Sequence, residues 1–251
     1  MFKEHPGFLQ MKNTQGTYMT LTSDPRRVFK FLLIVTLLLL CAHILGVIST
    51  YYFNHDQVFG LVPLFNFNFE ANIPTFYQCL ALLACSVLLA VIANYHHKNN
   101  SSYFHWASLS AIFLFLSIDE FTMLHEKLVL PFRGMFNTTG FLYFAWVIPY
   151  AILVALIGIL YLRFLLRLPG RTRTLFIVAG AIYVTGALFF ELLDGYFVSN
   201  EIKNIGFAIV NTVEEYLEMF GIIVFIYALQ DYMGRTIDDL HISIRNGLTA
   251  K

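Results

Sequence analysis

The chain has 251 residues, of which 58% are hydrophobic and 13% charged, with 16 basic and 16 acidic residues and no net charge. A soluble domain carries about a quarter charged residues, and its core could not hide 26 Phe and 14 Tyr beside so many aliphatic side chains. This excludes an ordinary soluble globular protein. The neutral balance excludes a basic nucleic-acid surface.

A bilayer core of ~30 Å needs roughly 20 apolar residues of helix. Six stretches qualify, at about Phe31–Tyr51, Pro74–Tyr95, Tyr103–Leu124, Phe141–Leu162, Leu175–Leu193 and Phe207–Leu229. The runs are continuously apolar and do not alternate, which favours helices over a barrel. The expected fold is therefore all-α, a polytopic membrane bundle of about six transmembrane helices. The first stretch is too long for a signal-peptide core, lacks a small-x-small cleavage site and reads as an uncleaved anchor.

Placing the N-terminus in the cytoplasm puts 13 of the 16 basic residues inside, among them Arg26, Arg27, Lys30, Lys98, Arg163, Arg167, Arg171, Arg173 and Arg235. Only Lys127, Arg133 and Lys203 fall outside. This is the asymmetry of the positive-inside rule, and it puts both termini in the cytoplasm. The organisation reads as a polar segment 1–25, a membrane domain 26–230 and a cytoplasmic tail 231–251, in which Ile237, Leu240, Ile242 and Ile244 suit either a short interfacial helix or a simple tail. The 52–73 loop is too apolar to be free; it lies on the outer membrane surface or packs over the bundle. Localisation follows as the cell membrane, the inner membrane in a bacterium, with the lipid bilayer as surroundings.

Half of the acids lie within or at the ends of three apolar segments. They are Asp119, Glu120 and Glu126 on the third, Glu191 and Asp194 on the fifth, and Glu214, Glu215 and Glu218 on the sixth. A carboxylate at mid-membrane costs on the order of 3 kcal/mol on insertion scales, so each needs a partner, a proton or a cavity. At ~100° per residue, Asn211, Glu214, Glu215 and Glu218 share one arc. Glu191 and Asp194 share a face, and Asp119, Thr122, His125 and Glu126 share another. Glu120 and Lys127 point elsewhere, as an interfacial pair. The topology set by Lys and Arg brings all three patches to the outer half of the membrane.

Few cations are near enough to neutralise such a cluster, and its carboxylates cannot all be ionised side by side. Protons or a metal ion must supply the charge. Carboxylates with one imidazole suit Fe, Mn or Zn, with Ca or Mg as further candidates. The expected divalent-metal site is Asp119, His125, Glu126, Glu191, Asp194, Glu214, Glu215 and Glu218. The Glu-x-x-His pairs of di-iron carboxylate bundles are absent.

Three functions fit. A metal-dependent enzyme acting on a lipid or other apolar substrate predicts a pocket open to lipid. A proton- or cation-coupled transporter needs polar groups through the inner half as well, where His43 and Tyr183 are the main ones. A non-catalytic subunit or sensor predicts a polar surface patch without an enclosed cavity.

Other residues read more plainly. The apolar settings of Cys41, Cys79 and Cys85 make them small buried residues. His43 reads as a helix-packing residue, and His96 and His97 as solvated. Trp146, Tyr143 and Tyr150 suit an outer aromatic belt, and Asp194-Gly195 also suits a helix stop. Asn137-Thr138-Thr139 matches a glycosylation acceptor.

Overall fold

A computed structural model describes residues 24–237. The N-terminal polar segment up to 23 and the tail from 238, including the interfacial-helix alternative, lie outside the described residues. Within them the chain is all helical, without strands. Helix α1 spans Pro25–Phe53, α2 Leu61–Phe65, α3 Ile73–Lys98, α4 Phe104–Thr122 and α5 Leu124–Phe136. Helix α6 spans Val147–Arg167 and α7 Gly170–Val184. A π-helical turn, Thr185–Phe190, runs from α7 into α8, Glu191–Ser199, and α9 spans Ile205–Thr236.

Helix starts follow local chemistry. Asp24 caps α1 through the Arg26 N–H and is followed by Pro25; Asn72 caps α3 ahead of Pro74; Asn204 caps α9 through Phe207. These side chains accept the N–H groups that a first helical turn leaves free.

Five helical stretches are long and apolar enough to cross a membrane: Pro25–Phe53, Ile73–Lys98, Phe104–Thr122, Val147–Arg167 and Gly170–Ser199. The sixth apolar segment forms α9, which carries three glutamates in its first half. Large apolar side chains face outward, as at Phe31, Leu45, Ile159 and Leu160. Polar ones, among them Thr36, His43, Gln78, Asp119, Asp194, Asn211 and Glu214, are buried. Such an inside-out distribution suits a surrounding hydrocarbon solvent.

Helix α9 is the axis of the bundle and its most buried element. Contacts along it show α1 and α7 antiparallel to it and α3 parallel. Near its start Tyr51 donates to the Asn204 carbonyl, and His43 Nε2 lies 2.8 Å from Thr212 Oγ1. Near its end Tyr95 reaches the Thr236 carbonyl, and Arg171 and Arg235 both hold Asp231, at 3.0 and 2.9 Å. His43 Nδ1 also accepts the Phe67 N–H, so its ring is satisfied on both sides, as a helix-packing residue requires.

Small residues bring helices together. Ser86 and Ser110 each donate to the other's carbonyl at 2.8 Å, fastening α3 to α4. A Cβ on Gly221 would stand 2.8 Å from the Tyr183 nitrogen, and one on Gly186 would stand 2.8 Å from the Glu214 carbonyl oxygen. Only glycine permits α7 and the π turn to approach α9 so closely.

Several expectations change. The third apolar segment is not one helix through Glu126: it breaks at Met123, whose φ of 53° is left-handed, and α5 begins anew. Asp194-Gly195 does not stop a helix, because α8 continues to Ser199; the glycine admits the Phe141 carbonyl, which a Cβ would meet at 3.2 Å. His96 is not simply solvated, since its Nε2 lies 2.8 Å from the Tyr232 hydroxyl and its ring stacks on Trp106. Cys85 is buried and Cys79 donates to the Ser117 carbonyl, but Cys41 is exposed on the apolar outside. The 52–73 loop packs in part over the bundle, burying Val62 and Phe67, while Phe59 and Leu61 project outward.

Gly221→Leu should force α7 and α9 apart and cost about 1–3 kcal/mol, read as a lower thermal midpoint in mild detergent. Gly158→Ala, with open space around the new methyl, should leave the midpoint unchanged or slightly raised.

Candidate functional site

A cavity of about 800 Å³ opens among α4, α6, the α7–α8 rod and α9, at the end of the bundle where α1 finishes and α9 begins. All eight sequence-predicted residues line it: Asp119, His125, Glu126, Glu191, Asp194, Glu214, Glu215 and Glu218. Glu120 lines it too, so it does not point elsewhere; Lys127 is not its partner but donates to the Thr122 carbonyl at 2.8 Å.

The helix break at Met123 builds the first corner. Asp119, in the last turn of α4, accepts the His125 backbone N–H on Oδ1 at 2.9 Å. The His125 ring then turns its Nδ1 toward the same oxygen, at 3.5 Å. Tyr150, in the first turns of α6, donates to Asp119 Oδ2 at 2.9 Å. Both carboxylate oxygens are thereby engaged, and α4, α5 and α6 meet on one side chain. Asp119 and His125 share this corner because the backbone reverses, not because they lie on one helical arc.

Trp146, just before α6, donates from Nε1 to Glu191 Oε1 at 2.9 Å and packs against the His125 ring at 4.9 Å. Trp146 is buried, and it and Tyr150 are therefore site residues and not belt residues; Tyr143 instead lies under the Arg133 guanidinium, 3.8 Å from the ring centroid. From α9, the Glu214 carboxyl meets that of Glu191, a contact that needs a proton or a cation between the oxygens. One turn further on, Gln78 Nε2 donates to Glu218 Oε2 at 2.7 Å.

Sequence periodicity did not single out Glu70, from the loop before α3, which lines the mouth of the cavity beside Glu126. Burial first, and then the neighbouring Glu126 and Glu191, push the Glu70 carboxyl above its usual range despite the opposing effect of His125. Gln78, Trp146 and Tyr150 carry the site's donors and have no signal in an acid-centred reading.

The remaining wall is apolar. Leu109, Ile112 and Leu116 of α4 face Leu153, Val154 and Ile157 of α6 across the cavity. Helix α6 buries only Val147 along its length, so this arm lies behind a thin wall.

A family model described as "Domain of unknown function (DUF8692)" matches residues 24–232. The chain belongs to this family. No curated protein and no solved structure matches it. The matched region contains every helix up to Tyr232 of α9, and every residue of the cavity.

As the side chains stand, no three His, Cys, Asp or Glu groups among the described residues form a ready-made metal shell. What is built is an acid–base arrangement. Asp119 orients His125 through Nδ1, and no hydrogen bond engages Nε2 among the described residues. Burial opposes charging His125, but the Asp119 carboxylate outweighs it, with Glu70 and Glu191 adding to the effect, and the imidazole is held above its ordinary value of 6.5.

A raised folded-state value means that the pair's stabilisation is complete below about pH 6.5 and is lost as pH rises through the folded value. The thermal midpoint should therefore fall with rising pH in that window. His125→Gln should flatten this slope; an unchanged slope would show that the Asp119–His125 pair does not carry it.

Proposed function

We propose that this is a six-span membrane protein with both termini in the cytoplasm. Its outward-facing carboxylate/histidine cavity binds an amphipathic, lipid-like substrate and acts on it with the help of a divalent metal. The observation that carries the reading is that one cavity joins all eight predicted side chains to an apolar arm between α4 and α6. The bias of Lys and Arg toward the other end of the bundle supports the orientation.

The cavity shape favours an enzyme or binding site over the alternatives. The opposite half of the bundle is closed by a packed cluster including Leu82, Cys85, Leu89, Trp106, Phe225 and Leu229. This weighs against a through-path for ions. A cavity of about 800 Å³ with an apolar arm is also more than a sensor with only a polar surface patch requires.

His125, oriented by Asp119, supplies the base at Nε2, and the paired Glu191 and Glu214 carboxyls hold a proton near it. The donor set of carboxylates and one imidazole suits Fe, Mn or Zn, or Ca or Mg. Since the present side-chain positions do not enclose an ion, the metal belongs to this proposal as a recruited cofactor, held by re-aimed carboxylates such as Glu215 and Glu218. It would polarise a substrate oxygen or activate water.

Elemental mass spectrometry on protein purified in mild detergent tests the metal. A stoichiometric divalent metal is expected, and Glu215→Ala with His125→Ala should lose it. A folded protein without metal would remove the cofactor from the proposal and leave acid–base chemistry by the protein's own side chains.

A further inference from the structure

The buried side-chain atoms of the cavity that lack a hydrogen-bond partner among the described residues are all oxygens. Trp146 donates to Glu191 and Tyr150 to Asp119, so neither serves these oxygens. Asp194 Oδ1, Glu214 Oε2 and Asn211 Oδ1 are buried oxygens without a partner among the described residues. These three residues are only 5%, 6% and 7% exposed, and all face the cavity. Glu70 Oε2, at the mouth, is likewise unpartnered. A buried acceptor left without a donor is unfavourable, so this group marks where a donor-bearing molecule belongs.

Charge points the same way. Among the described residues, no Lys or Arg lines the cavity. The nearest basic side chains in sequence are engaged outside it, Lys127 on the Thr122 carbonyl and Arg133 on the Tyr143 ring. A phosphate headgroup would meet carboxylates and no cation. A protonated amine brings three N–H donors and one positive charge, matching the three buried oxygens and the surplus of carboxylates. The apolar arm from Leu116 to Leu109 extends about 10 Å along α4 and gives a hydrocarbon chain its place.

We infer that the substrate or ligand of this site is an amphiphile with a cationic amine headgroup, held by Asp194, Asn211 and Glu214, with its chain between α4 and α6. This deepens the proposed function and rests on its reading of the cavity as an amphiphile site. The geometry sets a clear selectivity: amine over alcohol over phosphate at equal chain length.

The test uses the full chain in nanodiscs of zwitterionic lipid. Dodecylamine, dodecanol and dodecyl phosphate are titrated while tryptophan fluorescence is followed. Of the two tryptophans, Trp146 lines the cavity and Trp106 does not. Dodecylamine should give a saturable change at a concentration roughly tenfold or more below dodecyl phosphate, the scale of one charge-assisted hydrogen bond. Asp194→Asn with Glu214→Gln, nearly isosteric changes, should weaken amine binding by a similar factor. The wild-type comparison of three chain-matched probes stands even if that variant fails to fold. Equal binding of dodecanol and dodecylamine would overturn the amine assignment and leave the amphiphile site intact. Equal or tighter binding of dodecyl phosphate would overturn it in favour of selectivity set by a metal. No saturable binding of any probe would overturn both the assignment and the amphiphile reading.

Discussion

Carboxyl groups cannot sit bare among hydrocarbon side chains, and most features of this bundle near the cavity answer that constraint. At on the order of 3 kcal/mol for each charged group at mid-membrane, eight or nine such side chains could not be carried by apolar packing alone. Asp119 is satisfied by a backbone N–H, an imidazole and a phenol. Glu191 takes the Trp146 indole, and Glu218 takes the Gln78 amide. Each of these bonds crosses between segments, so the groups that make the carboxylates tolerable also hold the segments together. The effect is greatest for α6, whose body is almost wholly exposed. Trp146 and Tyr150 fasten its first turns to the acids, Tyr161 and Phe164 tie its far end to Ser108 and His105 of α4, and the apolar arm lies between these two attachments.

The second determinant is the approach of the π turn to α9. A π-helical stretch adds a residue to the helical repeat and is often found at functional sites. Here it lies directly before Glu191 and contains Gly186, whose missing side chain lets the turn rest on the Glu214–Glu218 backbone. Glu191 and Glu214 meet as a consequence. Gly221 repeats the device one level deeper, against Tyr183. The acids are thus set by glycine contacts between rods and not by the positions of the acids alone.

Much of this was legible in the sequence. Apolar run lengths located the helices, because membrane thickness fixes a length and the runs were uninterrupted. The acidic stripe of α9 followed from 3.6-residue periodicity, and the structure keeps Glu214, Glu215 and Glu218 on the cavity. Periodicity failed where the backbone stopped being one helix. The break at Met123 turned His125 back onto Asp119, and no apolar pattern signals a left-handed residue of that kind. It failed again for Glu120, assigned to Lys127 by helical angle although it lines the cavity with the other acids. Trp146 and Tyr150 were read as belt residues because aromatic side chains at a helix end commonly are; only the position of Glu191 and Asp119 across the bundle makes them donors. Glu70 lay in a segment without periodicity, where sequence gives no direction for a side chain.

The two kinds of wall in one cavity follow from the same arrangement. Near the mouth, the helix break, the indole and the π turn draw segments inward and crowd the carboxylates together. Between the Tyr150–Asp119 bond at one end and the Ser108–Tyr161 hydroxyl pair at the other, the facing side chains of α4 and α6 at the cavity are apolar, with only weak reasons to close the gap in a solvent as apolar as themselves. A soluble protein would collapse such a gap through the hydrophobic effect; a bilayer supplies no equivalent force. The acidic end is therefore held in place by directional bonds while the apolar arm stays open to chain-like occupants, and both properties come from placing hydrogen-bonded acids at one end of an otherwise apolar bundle.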